Sequence, residues 1–172
     1  MERKFFIDAD PVRLEQIFTN LLTNAAKYTK APGSIDLTVR HDGNMVDIHI
    51  RDTGMGIPRN MLKRIFEPFF QINQSKTSDA GQQGIGIGLP LTRQLVEMHG
   101  GTIEAVSEGT DTGSEFIVRL PLPVHPRQAP ALATTTPRHQ IRSVRKVKHA
   151  RKDTLVEARD QLFQIAAELL EA

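Results

Sequence analysis

The stretch DPVRLEQIFTNLLTNAAKYTKAPG, residues 10–33, decides the prediction of the fold. Asp10 is a residue type that caps helices, and proline at position 11 suits the first helical turn. Apolar residues then recur at the spacing of one helical face; they are Val12, Leu14, Ile17, Phe18, Leu21, Leu22 and Ala25. Pro32-Gly33 ends the pattern. The stretch therefore predicts an amphipathic helix packed on a core.

The same helix carries a polar stripe. Asn20, Asn24 and Lys27 stand at i, i+4 and i+7, which places them on one helical face. An amide oxygen is a hard, neutral ligand suited to Mg²⁺, and a lysine side chain is long enough to reach a phosphate. A solvated polar surface would explain the stripe equally well, so its meaning depends on the motifs that follow it.

The rest of the chain predicts a small α/β domain. Residues 35–39 and 46–50 alternate as two strands, and Asp42-Gly43 between them is a hairpin signal. Residues 71–83 are polar and predict a mobile loop. The other predicted elements are a short helix near Met61–Ile65, a helix over Pro90–His99 ended by Gly100-Gly101, and strands over Thr102–Ser107 and Glu115–Leu120.

Two glycine-rich motifs follow predicted elements. Asp52-Thr-Gly54-Met-Gly56-Ile57-Pro58 comes directly after a strand, where a carboxylate can accept from an exocyclic amine and glycines let the backbone approach a flat ring. A plain turn is the alternative. Residues 84–89, GIGIGL, precede a helix, whose free N–H groups can face an anion. They match neither a P-loop, since no Gly-Lys-Ser/Thr follows, nor a dinucleotide-binding unit.

A fourth motif, Ile65-Phe-Glu-Pro-Phe-Phe-Gln71, flanks the polar loop with apolar side chains. It indicates either a local hydrophobic staple or an aromatic hinge for that loop. In this order the four motifs resemble the N, G1, F and G2 boxes of the sensor histidine kinase catalytic domain. That domain belongs to an ATPase superfamily shared with gyrase, the ninety-kilodalton heat-shock chaperones and MutL.

The resemblance runs from about Asp10 to Leu122, and the ending Gly113-Ser-Glu-Phe116 is also typical of these kinases. It implies a two-layer α/β (α+β) sandwich, with a mixed β-sheet covered on one face by helices. It also implies a Bergerat-type site for ATP and Mg²⁺.

The resemblance carries residue roles to this chain. Asn24 would ligate Mg²⁺, and Asn20 and Lys27, the catalytic candidates, would contact phosphates. Tyr28 would stack on adenine, and Asp52 would accept from its amino group. The remaining cofactor-binding candidates are Gly54, Gly56 and Ile57 at the pocket floor, and Lys76, Gly84, Ile85, Gly86, Gly88 and Leu89 in and beside the lid loop.

Asn20 bears on the mechanism. Hydrolytic relatives have a glutamate at this place, and an asparagine cannot act as a base. Since phosphoryl transfer depends mostly on positioning and charge neutralisation, the site is predicted to present the γ-phosphate to a histidine on a separate dimerisation domain. The alternatives are a free-standing ATPase of the same superfamily and a degenerate, non-enzymatic nucleotide-binding or interaction fragment.

None of the six histidines is followed by the acidic residue and proline of a phosphoacceptor box. We therefore expect a truncated or divided kinase that binds Mg²⁺·ATP alone without labelling itself. Its partners would be a histidine-bearing domain, in trans or upstream, and indirectly a response regulator.

The charge pattern divides the chain. Residues 1–124, with 13 Lys/Arg and 15 Asp/Glu, are assigned to the ATPase-like domain. Residues 125–152, with 8 Lys/Arg and no acid, are predicted to be a Pro/Ala/Thr-rich and then basic linker. Residues 153–172 are predicted to form an amphipathic helix with a short coiled-coil seam, which would pair with itself or a partner.

The basic character belongs to one segment, so no nucleic-acid partner is predicted. The chain has no cysteine, no run of 18 apolar residues and no signal-peptide pattern at its start. We therefore expect a soluble, cytoplasmic protein without a membrane segment.

Overall fold

A computed structural model describes residues 7–72, 85–123 and 140–148 of the 172-residue chain. These residues contain two α-helices and five strands. In chain order they are α1 (Pro11–Tyr28), β1 (Ser34–Asp42), β2 (Met45–Asp52), α2 (Gly88–Met98), β3 (Thr102–Val106), β4 (Ser114–Pro121) and β5 (Gln140–Lys148). Among the described residues, no helix is long and apolar enough to cross a membrane.

Helix α1 begins and ends as its sequence predicts. The Asp10 carboxylate accepts from the backbone N–H groups of Val12 at 2.9 Å and Arg13 at 3.3 Å, which satisfies two of the free donors of the first turn. The predicted apolar face is buried except at Val12, whose side chain is 65% exposed. Val12 lies about 200° around the helix from Leu14, so it points away from the core.

The strands form one sheet in the order β3-β4-β2-β1-β5. β1 and β2 form the predicted hairpin, in which Asp42 pairs with Met45 and Gly43 takes a φ of 60° in the turn. The two-layer α/β sandwich is confirmed. The expectation of a mixed sheet is wrong for the described residues, because all four strand pairings are antiparallel. A tight hairpin joins neighbouring strands only in this sense.

Both helices pack on one face of the sheet. Alternating strand residues point toward them, including Ile48 and Ile50 of β2 and Val118 and Leu120 of β4. The buried helix residues Ile17, Leu21, Leu95 and Val96 complete this core. The packing fixes the C-terminal half of α1 and the start of α2 relative to the end of β2, and the candidate site lies along these segments.

The opposite face of the sheet carries charged side chains. Arg119 of β4 donates to Glu104 at 2.8 Å and lies 3.5 Å from Asp47. Burial alone would lower the pKa of the Arg119 guanidinium, but hydrogen bonds and attraction to Glu104 and Asp47 outweigh it and raise the pKa above its usual value. This face therefore carries a cross-strand ion-pair network.

Two secondary-structure predictions need correction. The short helix expected near Met61–Ile65 consists of two single 3₁₀ turns, Arg59–Met61 and Arg64–Phe66. Part of the expected linker is a strand, because β5 pairs antiparallel with β1 along almost its whole length. The basic composition concealed the β-branched residues Ile141, Val144 and Val147 in this segment, and β1 offers an otherwise unpaired edge.

Other predictions lie outside the described residues. Residues 73–84 include most of the predicted mobile loop, with Lys76 and Gly84. The predicted amphipathic helix over residues 153–172 also lies outside the described residues.

Candidate functional site

The side chains of the polar stripe on α1 differ in exposure. Asn20 and Asn24 are half-buried, whereas Lys27 is exposed and Tyr28 is 45% exposed. The Lys27 Nζ lies 5.1 Å from the centre of the Tyr28 ring. From Asn20 to Tyr28 the helix advances about 12 Å along its axis. The predicted metal, phosphate and base contacts are therefore spread along one elongated surface.

The N-terminus of α2 meets this stripe at Asn20. The Asn20 side-chain Nδ2 donates to Thr92 Oγ1 at 2.6 Å, and Thr92 Oγ1 donates to the Gly88 carbonyl at 3.0 Å. A Cβ atom built on Gly88 would lie 2.5 Å from Asn20 Oδ1. Glycine at position 88 is thus what allows the two predicted motifs to touch.

Asp52 ends β2 with a buried carboxylate that is 4% exposed. Its Oδ1 accepts from the Gly54 backbone N–H at 2.7 Å and, more weakly, from Thr29 Oγ1 at 3.5 Å. Its Oδ2 accepts from Ser114 Oγ at 2.5 Å. A carboxylate offers about four lone-pair positions, and these three groups use three of them. One acceptor position therefore remains for a further donor.

The loop after Asp52 is fastened to the C-terminal end of α1. The Met55 N–H donates to the Tyr28 carbonyl at 3.1 Å, and the Gly113 N–H donates to the Gly54 carbonyl at 3.0 Å. A Cβ atom on Gly54 would lie 2.4 Å from the Tyr28 oxygen. The close approach of Tyr28 and Gly54 therefore requires a glycine at position 54.

Ser107 joins the same loop to the β3–β4 connection. Its Oγ accepts from the Ile57 backbone N–H at 2.9 Å and donates to the Gly113 carbonyl at 2.7 Å. Gly56 has a φ of 68°, and a Cβ there would lie 2.0 Å from the Gly109 oxygen. The Ile57 side chain is 6% exposed and packs in the core, so position 57 contributes its backbone to this surface.

The aromatic motif contacts the second glycine-rich motif. The Phe69 N–H donates to the Gly86 carbonyl at 2.9 Å, and both residues have positive φ angles, 63° and 75°. Phe66 packs edge-to-face on Phe116 with ring centres 6.5 Å apart, whereas the Phe69 side chain is 71% exposed. Phe66 therefore anchors this segment in the core, and Phe69 projects from it.

The structure thus brings most of the predicted residues to the C-terminal half of α1, the end of β2 and the start of α2. Asn20 and Gly88 are in contact, and Asp52 and Gly54 adjoin the backbone of Tyr28. Ile85 is 70% exposed beside Gly86, and Leu89 is partly buried against the core. Lys76 and Gly84 fall outside the described residues.

Four hydroxyl-bearing residues of the site escaped the sequence analysis: Thr29, Thr92, Ser107 and Ser114. For two of them, their position in the sequence relative to the motifs could have indicated a role in the site. Thr92 follows Gly88 by one helical turn, and Ser114 lies within the quoted Gly113–Phe116 ending. Their partners are distant in sequence, so nothing local indicated the contacts.

Comparison with known proteins gives the family. Residues 9–124 match the sequence profile described as "Histidine kinase-, DNA gyrase B-, and HSP90-like ATPase". The chain belongs to this ATPase family. The match covers the surface described above, from α1 to the end of β4.

The relatives are sensor histidine kinases. The chain is 44% identical over 116 residues to the sensor histidine kinase RcsC of Escherichia coli (strain K12), which covers 67% of the chain but 12% of RcsC. The catalytic domain of the histidine kinase ThkA superposes with a TM-score of 0.55 at 30% identity, covering 67% of this chain and 70% of that domain. Full-length ShkA in complex with AMPPNP gives a TM-score of 0.53 at 33% identity, covering 64% of this chain and 21% of ShkA.

Proposed function

We propose that this chain binds Mg²⁺·ATP along the stripe of α1 and presents the γ-phosphate to a histidine on a separate dimerisation domain. The observation that carries the proposal is that the stripe of α1 is joined to two other elements: Asn20 contacts the first turns of α2, and the Tyr28 carbonyl accepts from the loop that follows the buried Asp52 carboxylate. The complex of the related ShkA with AMPPNP, an ATP analogue, supports the choice of nucleotide.

Adenine binding is assigned to the Asp52 end. The carboxylate keeps one acceptor position beyond those used by Gly54, Thr29 and Ser114, and the exocyclic amino group of adenine is a matching donor. The Tyr28 ring is exposed at the end of α1 whose carbonyl accepts from this loop, and it offers an apolar face to a base. Gly54 and Gly56 let the loop after Asp52 pack closely against the backbone of Tyr28 and Gly109, where any Cβ would clash, and so hold the wall beside the carboxylate in place.

Phosphate binding is assigned to the N-terminus of α2. The Asp10 side chain caps α1, but Ile87 at the corresponding position of α2 has no polar side chain and makes no capping hydrogen bond. The side chain of Ile87 therefore leaves the first N–H groups of α2 uncapped, and such groups can face an anion. Gly86 and Gly88 let this segment approach Phe69 and Asn20 closely, and the exposed Lys27 supplies a positive charge along the stripe.

The residues present fit a magnesium ion carried by the nucleotide. Mg²⁺ commonly keeps several waters and takes one or two protein oxygens together with substrate phosphates. Asn24 is half-buried on the same face as Asn20, and its side chain makes no hydrogen bond with any other described group, so its amide oxygen is a suitable ligand. When bound, the ion neutralises charge on the phosphates during transfer.

Transfer, and not hydrolysis, is assigned because of Asn20. Its amide cannot take a proton from water, and the amide is held between Gly88 and Thr92. Positioning by Asn20 and neutralisation by Lys27 are what phosphoryl transfer requires of these residues. The acceptor would be a histidine-bearing domain, and a response regulator would be served through it. Since the nucleotide is cellular ATP, the cytoplasm is the proposed location.

Calorimetry and labelling test the proposal in sequence. The purified chain should bind ATP with Mg²⁺, and Asn24→Ala should weaken that binding while Asn60→Ala, on an exposed 3₁₀ turn, leaves it unchanged. With γ-labelled ATP, acid-labile label should appear on a histidine-bearing domain of a related kinase supplied in trans. Label on the chain itself, or ATP turnover abolished by Asn24→Ala, would contradict the proposal.

A further inference from the structure

Thr92 is a buried hydroxyl at the contact between the two helices. It is 1% exposed, lies in the second turn of α2, and touches the α1 stripe only through Asn20 among the hydrogen bonds of the described residues. Threonine in a helix commonly donates to the carbonyl four residues earlier. Here that carbonyl belongs to Gly88, 3.0 Å away.

The hydroxyl determines which way the Asn20 amide faces. A hydroxyl has one hydrogen to donate and lone pairs to accept with. Since the Thr92 hydrogen goes to the Gly88 carbonyl, the 2.6 Å contact with Asn20 requires Asn20 to be the donor. The NH₂ group of Asn20 therefore donates to Thr92, and of the two amide atoms Oδ1 is the nearer to Gly88, since a Cβ there would lie 2.5 Å from Oδ1 and 2.9 Å from Nδ2.

An oxygen in that place has a defined chemical preference. Oδ1 accepts hydrogen bonds or binds cations, and it repels a bare phosphate oxygen. Without the Thr92 hydroxyl, the nearly symmetric amide could turn its NH₂ group to the same place. The direction of the amide thus decides whether Asn20 favours a hydrated cation or a bare phosphate.

We infer that Thr92 is a positioning residue. It holds Asn20 with its oxygen toward the phosphate end of the site, so that Asn20 acts on the hydrated magnesium ion of Mg²⁺·ATP. This inference rests on the proposed function and refines the expectation that Asn20 contacts phosphates directly. Thr92 itself does not touch the nucleotide, and its whole effect passes through Asn20.

A double-mutant cycle tests this dependence. Calorimetry would measure ATP affinity with Mg²⁺ and with EDTA for Thr92→Val, Asn20→Ala and the double variant. Each single change should weaken binding with Mg²⁺ about tenfold, the value of one ordinary hydrogen bond, and leave binding in EDTA unchanged. The double variant should bind no more weakly than Asn20→Ala, and Thr92→Ser should restore the affinity.

Thr19→Val is the matched control. The Thr19 hydroxyl is buried, adjoins Asn20 in sequence and has no hydrogen-bond partner among the described residues, so its removal should not change affinity. If Thr92→Val binds like the wild type, or its loss adds to that of Asn20→Ala, the inference is wrong while the proposed function stands. If the wild-type chain does not bind ATP, the proposed function itself fails.

A measurement on the wild-type chain avoids any folding defect of the variants. The Asn20 side-chain NH₂ resonances, assigned through Asn20→Ala, should include one proton that exchanges more slowly than those of the exposed Asn60. Equal, fast exchange at both positions would show that Thr92 does not hold the amide.

Discussion

The two ends of the site differ in how firmly they are built. At the Asp52 end, backbone and hydroxyl groups hold the carboxylate, and Ser107 ties the loop after it to the β3–β4 connection. At the Asn20 end, one side-chain hydrogen bond orients Asn20, and the Asn24 side chain has no hydrogen bond with other described groups. The Asp52 end, assigned to the base, is pre-organised by the fold. The Asn20 end, assigned to the phosphates, becomes ordered when its ligands bind.

This difference predicts two kinds of variant. Changes at the Asp52 end should lower both stability and nucleotide affinity, since the same hydrogen bonds serve both. Changes at the Asn20 end should lower affinity with Mg²⁺ and leave stability nearly unchanged. Each variant below should fall clearly in one class, and a variant in the wrong class would break the comparison.

Asp52→Asn should have the largest effect. One of its two carboxylate oxygens becomes an NH₂ group, which then opposes the donors Gly54 N–H or Ser114 O–H. A buried donor without an acceptor costs about 1–3 kcal/mol, so the free energy of unfolding should fall by that amount and ATP affinity by about 10- to 100-fold. Chemical denaturation and calorimetry measure the two effects.

The control is Asp47→Asn, on the opposite face of β2. Asp47 meets Arg119 and lies away from the nucleotide surface. The Asp47→Asn variant should bind ATP like the wild type. Loss of affinity in both variants would mean that charge alone, and not the buried carboxylate, decides binding.

Ser107→Ala should have the second-largest effect. It leaves the Ile57 N–H and the Gly113 carbonyl without their hydroxyl partner, at a cost of about 1–2 kcal/mol. Tm should fall and affinity should drop about tenfold, with and without Mg²⁺ alike. Thr112→Val removes a neighbouring but exposed hydroxyl and should change neither quantity. A fall in affinity confined to Mg²⁺ buffer would place Ser107 in the wrong class.

Gly88→Ala should separate stability from affinity. The new Cβ would meet the end of the Asn20 side chain, so the amide must move away from Thr92. Gly88 is the first residue of α2, where the preference of about 0.5–1 kcal/mol for alanine over glycine within a helix applies only in part, and stability should therefore change little. ATP affinity should fall several-fold in Mg²⁺ and stay constant in EDTA. A loss of stability would show that Gly88 serves packing instead.

The sequence predicted the firm scaffold better than the contacts within the site. Local patterns located α1, the β1–β2 hairpin and the strand before Asp52, because periodicity and turn residues act between neighbours in the chain. The contact between Asn20 and Thr92 joins residues 72 positions apart. Only the packing of α1 on α2 brings these two residues together, and no short sequence motif indicates that contact.

The error at β5 has a related cause. Composition predicted a linker over residues 125–152, yet residues 140–148 pair with β1. The decisive factor was the open edge of β1, which belongs to a distant part of the chain. An edge strand can be basic and polar, so composition alone could not distinguish it from a solvated segment.

The smallest effect is expected on the face of the sheet away from both ends of the site. Arg119→Gln removes two ion pairs, with Glu104 and Asp47, but the Arg119 side chain is 38% exposed and solvent screens both pairs. Stability should fall by less than about 1 kcal/mol, and the difference from the wild type should shrink in high salt.

The raised pKa of Arg119 fixes the pH behaviour of this effect. A group whose folded-state pKa lies above its unfolded value stabilises the fold fully below the unfolded pKa and loses that contribution only as the pH rises through the folded pKa. Titration of Arg119 itself therefore leaves the effect constant near neutral pH. Nucleotide affinity should equal that of the wild type, because neither ion pair touches α1 or the Asp52 carboxylate. Weaker ATP binding would show that the charged face is coupled to the site through β2 and β4, and the difference between the two ends would then no longer be local.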